Sequence, residues 1–346
     1  MDRIKRINKV FHRFSKSDKI HEAVLLVEDH SGRFSCHRSY EGLGPDSPIF
    51  LASNTKQFTT AVILMLEEQG QLSLDDKLSR YFPTPILEGL HIYEGTDWSF
   101  TLTLRHLLFH TSGLPDYFMQ DQSLLKRIIQ EDFTFSFLEM VAATKMQKPH
   151  FRPGEDRKAF YSNANFDLLN KVIELVTAKP LGEVYHEMIF KPLEMYNTYL
   201  ATEADDYIPG FYFGDRLIHR PKVIRSLGGS VGGISTSREL MIFLKAFFDG
   251  RLFSLDSFQP MKDYRKLQVF MRPLRYGGGH MLLPLSKLPP FFRSDSILLG
   301  HSGIAGSFAF YDPLKDLFFT GNLNQIGDPS LPIRIVLKLA RALQRS

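Results

Sequence analysis

Ile4, Ile7, Val10, Phe11 and Phe14 recur at helical spacing with Lys and Arg between them, so residues 3–15 are expected to form a basic amphipathic helix. Such a helix ordinarily packs on the body of a protein, although a basic amphipathic face can also lie on an anionic membrane surface. The apolar run over 23–29 predicts a strand, His30-Ser31-Gly32 a turn, and 34–40 the return strand of a hairpin. Spacing over 54–69 predicts a helix that buries Ala61, Ile63, Leu64 and Leu66 and closes at Gly70. Residues 71–205 carry helical patterns broken by Pro and Gly, around 103–110, 122–131, 135–146, 163–178 and 181–190. From about 207 the pattern changes to short β-rich runs and Gly turns, with one helix after the Ser235-Thr236-Ser237 cap. A hairpin of 307–311 and 317–322 turns through Asp312-Pro313-Leu314-Lys315-Asp316, and an amphipathic helix over 331–344 follows.

Strands towards both ends with helices between them predict an α/β (α+β) fold. Its antiparallel sheet would be flanked by N- and C-terminal helices and interrupted by an inserted, mostly helical domain. The expected boundaries are 1–75 with 207–346 for the sheet domain and 76–206 for the helical domain, with the site in the cleft between them. The chain has no internal repeat and no low-complexity tract.

With 43% hydrophobic and 23% charged residues over 346 positions, the composition is that of a folded globular protein. The net charge of +4 is concentrated: residues 1–20 hold seven basic and two acidic side chains, and the remainder of the chain carries −1. A nucleic-acid-binding body would spread its basic stripe over the fold, so no nucleic-acid partner is expected. The single cysteine, Cys36, cannot form an internal disulfide and suits a reducing compartment as a buried small hydrophobe. The N-terminal segment lacks the apolar run of a signal peptide and no window approaches a membrane span, so a cytoplasmic location is expected.

Ser53-Asn54-Thr55-Lys56 opens the helix predicted over 54–69. Positions i and i+3 share a helix face, so the Ser53 hydroxyl and the Lys56 amine can meet. The positive end of the helix dipole, together with burial, would lower the Lys56 pKa and let it act as a base toward Ser53. Alone this spacing also fits a helix cap beside a solvated lysine, and Ser123 and Lys126 repeat it on a charged helix. Companion motifs distinguish the first pair. They are Leu107-Leu108-Phe109-His110-Thr111-Ser112-Gly113-Leu114, Tyr161-Ser162-Asn163, Phe190-Lys191-Pro192-Leu193, Gly232-Gly233-Ile234-Ser235-Thr236 and Gly300-His301-Ser302-Gly303.

In this order, over about residues 20–345, the sequence resembles the serine β-lactamase and penicillin-binding protein superfamily. The closest resemblance is to the branch of class C β-lactamases, D,D-carboxypeptidases, D-amino-acid peptidases and esterases. The resemblance implies a serine hydrolase that works without a cofactor on a small-molecule or peptide substrate. Ser53 would be the acylated nucleophile, Lys56 its proton acceptor and Tyr161 a proton shuttle. Asn163 would bond the substrate amide and Lys56. The strand with His301, Ser302 and Gly303 would pair with the substrate, Gly303 leaving room for its close approach, and the Ile304 N–H would share an oxyanion hole with the Ser53 N–H. Dedicated β-lactamases of this branch carry Lys-Thr-Gly where this chain has His-Ser-Gly. Lysine is a permanent cation for a substrate carboxylate, whereas histidine titrates near neutral pH, so efficient antibiotic hydrolysis is not expected. A cationic His301 would make activity on carboxylate-bearing substrates fall as pH rises through its pKa.

Two alternatives accompany this reading: an idle, ligand-binding member of the same fold, and an α/β-hydrolase-type esterase. In the latter, Gly228-Gly229-Ser230-Val231-Gly232 would be the nucleophile elbow and His280 or His301 the base. The elbow lacks a strong preceding strand, 222–226 being a short one, and lacks a helix leaving at once. His106 and His110 share a helical spacing but have no third ligand, so no metal is expected. Phe211-Tyr212-Phe213 and Phe247-Phe248 are expected in the core, with some chance of lining the cleft. Oligomeric state and natural substrate are not encoded in these patterns.

Overall fold

The computed structural model describes residues 3–119, 123–268, 271, 273–285 and 296–344. An eight-stranded antiparallel sheet has the order Arg265–Lys266, Arg275–Tyr276, Met281–Pro284, Ile297–Ser302, Ser307–Asp312, Leu317–Asn322, Ala23–Asp29, Ser35–Tyr40. The first hairpin joins the last through the Ala23–Asp29 and Leu317–Asn322 pair, in register from Val24↔Asn322 to Asp29↔Leu317. Helix Ser237–Asp249 packs across the middle strands, started by the Thr236 hydroxyl accepting from the Glu239 N–H. Cys36 is buried on the outer strand.

Helix Arg3–Ser15 lies against the C-terminal helix Leu331–Gln344 and the Ser35–Tyr40 strand. It buries Ile7, Phe11 and Phe14, and Arg6 Nη1 donates to the Ala342 carbonyl at 3.2 Å. Most of its apolar stripe is therefore spent on the protein body, with Ile4 left exposed. None of the described helices is long and apolar enough to cross a membrane.

Helix Lys56–Glu68 runs through the interior, with every residue from Lys56 to Leu64 buried. Phe58 meets Phe190 and Phe243 edge-on at centroid distances of 5.1 and 4.6 Å. The buried Thr59 and Thr60 are satisfied by Asn170 Oδ1 and the Lys56 carbonyl. The central helix packs on helix Asn163–Thr177, and a small sheet, Ile49–Phe50, Gly233–Ser235, Tyr199–Leu200, ties the approach to it to two distant segments.

Two local expectations change. Residues 222–226 lie in helix Pro221–Ser226, not a strand, because Pro221 occupies its first turn, where a missing N–H costs nothing. The first helix after 103 is only Leu104–Leu108, and its exit is made by His110 in the left-handed conformation (φ 55°) ahead of Gly113. Truncation of the terminal helix contact, Phe11→Ala, is expected to lower stability by about 3 kcal/mol. An unchanged denaturant midpoint would show that this helix is not docked.

Candidate active site

Ser53 does not cap the helix. It sits inside a 3-10 turn, Ala52–Thr55, that precedes the α-helix, and it alone in that turn is not buried. Ala52 is held at φ 46°, a strained conformation for a residue with a Cβ. The turn is fixed by Thr55 Oγ1, which donates to the Ala52 carbonyl at 2.7 Å and accepts from the Gly233 N–H at 3.1 Å. Asn54 Nδ2 donates to Ser307 Oγ, which donates in turn to the Leu51 carbonyl.

Lys56 has no exposed surface. Its Nζ lies 3.3 Å from Ser53 Oγ, 2.8 Å from Asn163 Oδ1 and 2.7 Å from the Ser230 carbonyl, with the Tyr161 and Phe166 rings 5.5 and 5.6 Å away. Burial pushes its pKa down to about 8, partly opposed by the negative charges of Asp167 and Asp116. Tyr161 is buried and hydrogen-bonded to Ser53, and burial holds its phenol well above the usual range, so it is a neutral hydroxyl next to the Ser53–Lys56 pair.

Three consecutive residues, Tyr161 to Asn163, are each pinned by a different segment. Gln268 takes the Tyr161 N–H on Oε1 at 3.0 Å and returns Nε2 to the Tyr161 carbonyl at 3.3 Å. His110 Nδ1 accepts the Ser162 N–H at 3.2 Å and Asn165 Nδ2 at 2.8 Å, which puts its proton on Nε2. Asp116 Oδ1 accepts both the backbone N–H and the Nδ2 of Asn163, at 3.1 and 3.0 Å, fixing Asn163 Oδ1 toward Lys56. Burial raises the Asp116 carboxyl above the ordinary range, against those same hydrogen bonds.

The cleft in front of Ser53 has a volume of about 350 Å³, and Tyr161, Asn163, Ser302, Gly303 and Ile304 line it. His301 does not. Its side chain is wholly buried, tilted against Tyr161 and edge-on to Tyr276 at centroid distances of 6.1 and 5.8 Å. Burial, and then the Lys56 charge, push its pKa down to about 3. His301, expected among the substrate-binding residues, therefore does not present its side chain to the cleft: strand alternation turns it into the core while Ser302 faces the cleft. Gly303 is also explained differently. A Cβ there would lie 2.3 Å from the Leu51 carbonyl and 2.4 Å from Ser307 Oγ, so the glycine lets the strand pack on the turn that carries Ser53.

Ser230 is not at an elbow. It is buried in a short helix, Gly228–Val231, and its Oγ donates to Asp167 Oδ1. His280 is occupied elsewhere, by the Tyr264 hydroxyl and the Gly278 carbonyl. What Ser230 contributes to the site is its carbonyl. Gly229 makes that approach possible, since a Cβ there would lie 2.4 Å from the Tyr185 hydroxyl. Lys126 is exposed on its helix, and His106 is engaged by the Thr103 N–H. No group of three or more metal-ligating side chains occurs among the described residues. Asp116, Asp167, Gln268 and His110 were not singled out as site residues from the sequence. His110 opens the His110-Thr111-Ser112-Gly113 run and Asp116 follows it closely, which was the available signal; Gln268 had none.

An antiparallel sheet, a cleft-facing serine beside a buried lysine and a Tyr-Ser-Asn segment converge on one cleft, the arrangement of a β-lactamase-like serine hydrolase fold. The Beta-lactamase family model matches residues 8–340, and the chain belongs to that family. Protein flp of Staphylococcus aureus (strain NCTC 8325 / PS 47) is 33% identical over 155 residues, covering 44% of this chain and 28% of its own length. The chain thus spans less than a third of that curated relative. A D-stereospecific amidohydrolase from Streptomyces sp. superposes with a TM-score of 0.77 at 25% identity, covering 96% of this chain and 97% of the other. D-amino acid amidase from Ochrobactrum anthropi SV3, in complex with L-phenylalanine amide, has a TM-score of 0.80 at 20% identity, covering 99% of each chain. The chain is homologous to serine hydrolases.

Gly303→Ala is expected to cost about 2 kcal/mol, because backbone rather than a side-chain tip blocks the new methyl. It should also slow labelling of Ser53 by displacing Leu51 and Ala52. Unchanged melting and labelling would show that the strand can move away freely.

Proposed function

We propose that this protein is a serine hydrolase that acts through an acyl-enzyme on Ser53, and that its substrates are esters or amides with an apolar acyl part. The observation that carries the proposal is the wholly buried Lys56 amine, 3.3 Å from the only hydroxyl of its turn that opens on the cleft.

Lys56, once neutral, takes the Ser53 proton as Oγ bonds to the substrate carbonyl carbon. Negative charge on the carbonyl oxygen is met by the N–H groups of Ser53 and Ile304. As the tetrahedral intermediate collapses, the bond to the leaving group breaks and the proton reaches that group through Tyr161. Water then attacks the acyl-serine, giving up its proton to the same groups, and the acid departs. Asn163 holds Lys56 and offers its amide to the substrate.

The lining supports the choice of substrate. Phe118, Met119, Met271, Leu274, Ile304 and Ile333 make the cleft apolar, and the ionisable groups among its described lining residues are Asp116, Tyr161 and Asp328. With His301 neutral and buried, a carboxylate on the substrate would face carboxylates and hydrocarbon. The similar Streptomyces protein is a D-stereospecific amidohydrolase, which supports amides beside esters as substrates.

Intact-mass analysis after treatment with a fluorophosphonate should show one adduct, mapping to Ser53 and absent from Ser53→Ala, which should also lose all turnover. An adduct on any other serine would overturn the mechanism. Since the active form is the neutral amine and its pKa lies at about 8, kcat/KM should rise as pH increases through about 8. A flat or falling profile over that range would refute the neutral Lys56 amine as the base. Finally, p-nitrophenyl butyrate should be cleaved at least about tenfold more efficiently than p-nitrophenyl hydrogen succinate, a difference of roughly 1.4 kcal/mol in transition-state binding. Equal rates would refute the apolar-acyl assignment alone.

A further inference from the structure

Asp167 lies one residue removed from the catalytic pair. Its Oδ1 accepts the Ser230 hydroxyl and its Oδ2 the Tyr117 hydroxyl, the latter at 2.7 Å, while the carbonyl of the same Ser230 accepts Lys56 Nζ at 2.7 Å. Asp167 stands four residues after Asn163 on helix Asn163–Thr177, so one helix face delivers two groups to the surroundings of Lys56. It does not line the cleft. With Tyr117 it borders a separate cavity of about 720 Å³, so a substrate in the cleft does not touch it.

We propose that Asp167 is a positioning residue for the reaction: it anchors the Ser230 backbone under Lys56 and supplies the negative charge that sets the pH at which Lys56 becomes a base. This rests on the assignment of Ser53 and Lys56 as nucleophile and base.

The groups around Lys56 leave Asp167 a distinct part. Ser53, Asn163 and the Ser230 carbonyl are neutral acceptors, Tyr161 and Phe166 present rings, and burial keeps His110 and His301 uncharged. The remaining charges are Asp116, already bonded twice by Asn163, and Asp167, bonded by two hydroxyls. Both hold the ammonium form of Lys56 in place against the burial that expels its proton. The two hydroxyls in turn favour the ionised form of Asp167, which burial disfavours.

Loss of the Asp167 charge should therefore make Lys56 easier to deprotonate. In Asp167→Asn, which keeps the size of the side chain, the acid limb of kcat/KM and of the fluorophosphonate labelling rate should move to lower pH by about one unit. Tyr117→Phe removes one donor but leaves the carboxylate, so its limb should move much less than that of Asp167→Asn. Both variants should reach a labelling plateau at high pH, which a merely structural defect would not restore. An unmoved limb, or one displaced to higher pH, in an Asp167→Asn variant that keeps its melting temperature would overturn the proposal. Should Asp167→Asn not fold, Asp167→Ser, which also removes the charge, decides by the same reading. Failure of the unmodified protein to label at Ser53 at any pH would instead refute the mechanism on which the proposal rests.

Discussion

A lysine amine with no contact with solvent governs the arrangement of this site. Removing an ammonium from water is costly unless it is given hydrogen-bond acceptors and nearby negative charge, and a lysine given too much of either stays protonated and is useless as a base. The protein resolves the conflict with three neutral acceptors in direct contact and two carboxylates each one residue away. Asp116 acts from behind Asn163 and Asp167 from behind Ser230. The glycines at 233 and 303 serve the same end, because a Cβ at 233 would lie 2.7 Å from Thr55 Oγ1 and one at 303 would lie 2.3 Å from the Leu51 carbonyl, both at the turn that carries Ser53.

The same lysine explains its neighbours. A second cation beside it would meet both the desolvation penalty and the Lys56 charge, so His301 and His110 are held neutral. A neutral His110 keeps Nδ1 as an acceptor, and that acceptor is what fixes the Ser162 N–H and, through Asn165, the start of the Asn163–Thr177 helix. The Tyr161 to Asn163 stretch lies outside any sheet ladder, so its backbone groups needed partners from elsewhere. His110 and Asp116 supply them from within the helical middle of the sequence, and Gln268, just past the edge strand Arg265–Lys266, ties that stretch to the sheet.

Much of this was legible in the sequence for local reasons. Ser53 and Lys56 meet because three residues of helical turn bring them together, and the strand and helix spacings at both ends set the sheet and its covering helices. What could not be read was set by tertiary packing. Strand alternation says that His301 and Ser302 face opposite ways but not which of them faces the cleft; the register of Ile297–Ser302 against Met281–Pro284 and Ser307–Asp312 decides that. Ser230 stood in a serine motif and proved to contribute a carbonyl, a role that every residue can fill and no side-chain pattern can announce. Asp167 finds its partners 50 and 63 residues away, so it looked like any polar position on a helix. Residues 222–226 were misread because a short apolar run was weighed above the proline that starts it.

A buried neutral histidine in the His301-Ser302-Gly303 run changes how specificity must arise. Where a lysine stands at that position, a substrate anion can be drawn by a permanent charge. Here the strand offers backbone groups, the Ser302 hydroxyl and the close packing of Gly303, while the surrounding walls are apolar and their ionisable lining carries carboxylates. Backbone donors orient an acyl group without selecting for charge, and apolar walls favour acyl groups that leave their water behind. In the proposed reaction, discrimination against anions then needs no dedicated residue. It would follow from the absence of compensation for a desolvated charge, the same physical penalty that lowers the pKa of Lys56 and suits it to the proposed role of base.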